Sequence, residues 1–170
     1  MNACEIVIIL IAVASIALGY YVKLQHLVGS TISLAVGLLT CIVAGNWAVK
    51  IGQELYPQWA DLYMASGAID VMSRITLFLL IYSAAQVVST FVPALKNSVW
   101  RKLGENKDRW LGAATCFVHA MTAQSIVLNV LLVTTPAVRD ATLNPSLYGL
   151  VLRVGIDFFP AFALAEHYIF

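Results

Sequence analysis

Asp108-Arg109-Trp110-Leu111-Gly112-Ala113 closes the most basic loop of this 170-residue chain and opens an apolar run that continues to about residue 135. A short charged loop feeding roughly 20 apolar residues is the pattern of a multi-span membrane protein. The rest of the chain repeats it. Hydrophobic residues make up 61% and charged residues only 11%, where a soluble domain carries about 25% charged residues. The apolar residues lie in long runs, not scattered at half-buried positions. The composition therefore predicts a single all-α integral membrane domain over residues 1–170, a bundle of four transmembrane helices with interfacial amphipathic segments. The net charge of +1 excludes nucleic-acid binding, which needs a concentrated basic surface.

The predicted spans are about 3–22, 27–49, 69–92 and 110–135. Each is near the length that crosses a hydrocarbon layer of about 30 Å, and each must be helical because lipid satisfies no open backbone. Glu5 is the only charge in the first 20 residues. Without a positive n-region, the first run reads as an uncleaved span and not a signal peptide. Residues 50–67, with Tyr56, Trp59 and Tyr63, read as an interfacial segment. Lys23, Lys96, Arg101, Lys102, Lys107 and Arg109 share one side of the membrane, against Lys50, Arg139 and Arg153 on the other. The positive-inside rule puts the six-charge side in the cytoplasm and both termini outside. The tail, 136–170, reads as an interfacial amphipathic helix over about 147–159, interrupted at Pro160, with a tilted or re-entrant segment as the alternative. Arg153 and Asp157 are spaced to pair on that helix.

Span two carries a small residue at every fourth position: Ser33, Gly37, Cys41 and Gly45. Span four repeats the device with Gly112, Cys116 and Ala120, and span one offers Ser15 and Gly19. Such ladders let helix backbones approach closely, within one bundle or against a partner. Span four also bears a polar stripe of Thr115, His119, Thr122, Ser125 and Asn129. Span three has a weaker one in Thr76, Ser83, Gln86 and Thr90. Interhelical hydrogen bonding is one reading; two stripes lining a wet cavity is the other. Asp70 and Arg74, four residues apart near the start of span three, are placed to form an ion pair with Arg74 reaching outward to the interface. Together with Glu5 they are the nearest approach to an ion or proton site.

Enzyme signatures are absent: no GxSxG, HExxH, P-loop or dinucleotide turn. Cys4, Cys41 and Cys116 show no paired spacing, and His119 has no ligating residue three or four positions away. No catalytic residue, metal or cofactor is expected.

Several short motifs resemble those of the colicin V production proteins, the CvpA-like family of bacterial inner-membrane proteins. Glu5 stands where the family usually has an acidic residue before its first span. Gly19-Tyr20-Tyr21-Val22-Lys23 resembles the family's Gly and basic turn, although Leu24-Gln25-His26 stands where a later Gly is usual. Asp108-Arg109-Trp110-Leu111-Gly112 resembles the Asp-Arg-x-Leu-Gly that opens the last span. Cys116, His119 and Ala120 take positions where the family favours Gly, a basic residue and Gly, and Ser146-Leu147 resembles a tail motif. The resemblance implies a four-span protein of the bacterial inner membrane, supporting production or export of colicin V-type toxins and envelope integrity, with no known reaction. Its partners would be membrane lipids and either another membrane protein or a second copy of itself. The alternative is a small oligomeric channel or transporter, its path lined by the stripes on spans three and four. Asp108, Arg109, Gly112, His119, Asn129, Glu5, Asp70 and Arg74 are the candidate functional residues on either view.

Overall fold

A computed structural model describes residues 3–55, 57, 66–91, 104–135 and 150–163. Among them are five helices and no strand: α1 (Ala3–Val22), α2 (Leu24–Leu55), α3 (Ser66–Phe91), α4 (Glu105–Thr134) and α5 (Leu150–Ala163). The first four are long and apolar enough to cross a membrane, so the chain is an all-α, multi-pass membrane protein. α2 and α4 outrun the predicted spans. α4 begins at Glu105, so the charged segment read as loop is its first turn. Tyr56, Trp59, Tyr63, Lys96, Arg101, Lys102 and Ser146-Leu147 lie outside the described residues.

The helices pack as two antiparallel pairs, α2 with α3 and α1 with α4, joined through α2 and α4. On α1 only Glu5, Ile8 and Gly19 are buried among the side chains described. Ile6, Leu10, Val13 and Leu18 face outward, as an apolar-all-round helix does when its solvent is lipid. A single residue, Lys23, links α1 to α2, with φ 67°. Its N–H donates to the carbonyl of Gly19 at 3.0 Å. This is a left-handed helix cap with lysine where glycine is usual.

The ladder on α2 faces α3. A Cβ on Gly37 would lie 2.8 Å from the Phe78 ring, and one on Gly45 would meet the Arg74 guanidinium, with Cζ at 2.7 Å. The ladder on α4 faces α1. A Cβ on Gly19 would come 2.7 Å from both the Gly112 carbonyl carbon and Cβ of Cys116. Both ladders thus serve contacts within the chain.

The tail departs from the surface helix favoured above. α5 continues through Pro160 to Ala163 and packs against α4, α1 and α2. Phe159 has no exposed surface and joins Leu34, Cys41, Ile75 and Phe78 in the core. Its ring meets Phe78 edge-on at 5.3 Å. Ile156 packs with Ile8 nearer the start of α1. The helix therefore turns back into the bundle, because its apolar residues fill a gap that four spans leave open. Arg153 and Asp157 face each other at 3.8 Å on its exposed side.

Candidate functional site

The candidate residues fall into three separate polar clusters. The first gathers the Asp108–Gly112 segment around the α1–α2 turn. Asp108 lies in the first turn of α4, yet its Oδ1 accepts the backbone N–H of Gln25 at 3.1 Å. One nearly buried carboxylate thus serves two helix N-termini, its own and that of α2, each carrying partial positive charge. The N-cap of α4 is Gly104, so no side-chain cap bond is made there.

Around this pin the charges interlock. Nζ of Lys23 lies 3.1 Å from Oε1 of Glu105, and Nη2 of Arg109 donates to the same oxygen at 2.9 Å. The Arg109 guanidinium sits 5.5 Å from the Tyr20 ring centroid. Trp110 meets Tyr20 edge-on at 5.5 Å. Gly112 lies so close to α1 that a Cβ would stand 2.9 Å from the Leu24 nitrogen. Trp110 and Tyr21 remain largely exposed, as does Lys107. The segment is a clasp that fixes a basic, aromatic rim.

The second cluster lies at the other end of the bundle. Arg74 has no exposed surface, so it does not reach outward to the interface as expected. Its Nε donates to Asp70 Oδ1 at 2.9 Å, Nη1 to the Cys41 carbonyl at 3.1 Å and Nη2 to Asn46 Oδ1 at 2.6 Å. The Cys41 thiol donates in turn to the Arg74 carbonyl at 3.4 Å. A buried guanidinium needs both a counter-charge and partners for its remaining N–H groups. Asp70 supplies the first, and α2 supplies partners for the second. Gly45 is small because the guanidinium occupies the space of a side chain. Glu5 is buried on α1 and has its own interaction.

The third cluster joins α4 to α5. Pro160 has no N–H, so the carbonyl four residues earlier, that of Ile156, loses its helical donor. The stripe on α4 replaces it: Ser125 Oγ donates to the Ile156 oxygen at 2.7 Å and Asn129 Nδ2 at 2.8 Å. Ser125 Oγ also accepts the Phe159 N–H at 2.9 Å. Neighbouring side chains commonly re-satisfy a proline break within a membrane in this way. His119, nearer the start of α4, belongs elsewhere. Its ring nitrogens lie 2.8 Å from the Thr115 carbonyl and 3.2 Å from that of Ser30, and a neutral ring donates to one of them.

Among the described residues, several members of the two polar stripes bond within their own helices. Thr122 donates to its own helix backbone. On α3, Thr76 and Thr90 do likewise from exposed positions, and Gln86 donates to Tyr82 Oη. The stripes approach where Tyr82 meets His119, at 6.3 Å between ring centroids. Among the described residues, no three His, Cys, Asp or Glu side chains converge as a metal site would require.

Sequence reading missed Asn46, Tyr20 and the Ile156 carbonyl. The last was legible, since a proline inside a helix always orphans the carbonyl four residues before it. Asn46 and Tyr20 carry no comparable signal. Compared with known proteins, the chain matches no family model, no curated protein and no solved structure.

Proposed function

We propose that this chain is a non-enzymatic accessory protein of the bacterial inner membrane. It supports toxin production or export and envelope homeostasis, in the manner its resemblance to colicin V production proteins implies. It acts by binding other membrane proteins, with both termini on the periplasmic side. The observation that carries the reading is the clasp. Asp108, Arg109 and Gly112 make structural contacts and hold Lys107, Trp110 and Tyr21 outward on a fixed rim. A rigid surface of cationic and aromatic side chains suits a membrane-protein partner at headgroup level.

The test is to purify the intact chain from its native membrane in mild detergent and measure the mass and protein content of the complex. A stoichiometric second protein is expected. It should be released by Lys107→Glu combined with Trp110→Ala, with the melting temperature of the chain unchanged. A pure homo-oligomer with no second protein would overturn the accessory role and favour a channel, which liposome flux then measures.

A further inference from the structure

A groove of about 530 Å³ runs between α1 and α4. Val7 and Ile11 form one wall; Ala120, Ala123 and Val127 form the other. Val7, Ile11 and Val127 are all exposed. The polar side chain in this lining is Gln124. Its Nε2 and Oε1 are both buried and meet no hydrogen-bond partner among the described residues.

An amide unsatisfied on both its donor and its acceptor is costly in hydrocarbon. Lipid does not relieve it. Gln124 lies ten residues before the end of α4, about 15 Å along the helix axis. Phospholipid polar groups stay at the membrane boundary, and acyl chains offer nothing to bond. The partner must be a polar group held at that depth by protein.

We propose that the groove is the contact face between two copies of this chain, with Gln124 hydrogen-bonded to the partner's Gln124. An amide is its own complement: each nitrogen donates to the other's oxygen. Two copies inserted with the same topology are related by a two-fold axis along the membrane normal. That axis places both glutamines at the same depth without adjustment. Ala120 and Ala123 leave room for close approach. In the dimer the Gln124 side chain would rotate to bring its amide, buried in the wall, into the groove. The inference does not depend on the process that the protein serves.

The test uses the full chain in its native membrane, with a benzophenone amino acid at Val127 in the groove and, separately, at the exposed Leu80 on α3. Irradiation should give an adduct of twice the 18.5 kDa chain mass from Val127 and not from Leu80. Gln124→Leu should weaken self-association in lipid bilayers about tenfold, the upper range for polar contacts in membranes, with an unchanged melting temperature. Ala123→Trp should block association sterically, by filling the room for close approach, while sparing the amide. Adducts to lipid alone or to a different polypeptide would overturn the proposal. So would equal dimer yield from both positions, or association indifferent to Gln124→Leu.

Discussion

A guanidinium with no exposed surface sits inside this membrane bundle, at Arg74, where Asp70, the Cys41 carbonyl and Asn46 accept its N–H groups and Gly45 leaves it room. Arg74→Met should destabilise the fold by about 3–5 kcal/mol, because Asp70 and two oxygens on α2 lose their donor. Asp70→Asn should cost a comparable amount, since it removes a counter-charge from a guanidinium that has no exposed surface of its own. Thermal unfolding in one detergent measures both. Gly45→Ala tests the same site from the other side: its methyl meets the guanidinium, and the resulting strain should outweigh the gain in helix propensity of about 1 kcal/mol. At the opposite end, Lys23 holds a left-handed conformation that costs a non-glycine residue about 1–2 kcal/mol. Lys23→Gly should therefore raise the melting temperature despite losing its exposed ion pair with Glu105.

At the scale of elements, α5 depends on α4 for a hydrogen bond that its own sequence removes. Ser125→Ala in the native chain leaves the Ile156 carbonyl with Asn129 alone and the Phe159 N–H without its acceptor. In a Pro160→Ala background, residue 160 regains an N–H for that carbonyl. Ser125→Ala should then cost less by about 1 kcal/mol, a coupling read from a double-mutant cycle in unfolding free energy. Equal costs in both backgrounds would refute the repair. Asp108 links elements in a similar way. Asp108→Ala should cost about 1 kcal/mol through the N-terminus of α2, and Asp108→Asn should recover part of it by keeping the accepting oxygen.

Across the whole molecule, four apolar helices fix a membrane location, and charge asymmetry predicts its direction. With Cys4 replaced by serine, Glu54→Cys should react with an impermeant maleimide on intact cells, whereas Lys107→Cys should react only after permeabilisation. The opposite pattern would reverse the proposed topology. That four helices are long and apolar enough to span was legible from sequence, since lipid demands long uninterrupted apolar runs; that α2 runs on to Leu55 and α4 begins at Glu105 was not. The small-residue ladders were equally visible. Their targets were not: Gly45 reads as a packing position, and only the fold shows that an arginine fills it.

Sequence alone determined the solvent of this protein, the number of its spans and the charge difference between its ends, because these follow from transfer energies that each segment carries by itself. Tertiary structure decided what each polar side chain does. Arg74 turned inward, Asp108 reached across to α2, and α5 folded into the bundle when it had read as a surface helix. Those outcomes depend on partners distant in the chain: Asn46 for Arg74, Gln25 for Asp108, and Phe78 with Ser125 for α5. A hydrogen bond or a filled gap is a property of two segments at once, and no local pattern in either one encodes it.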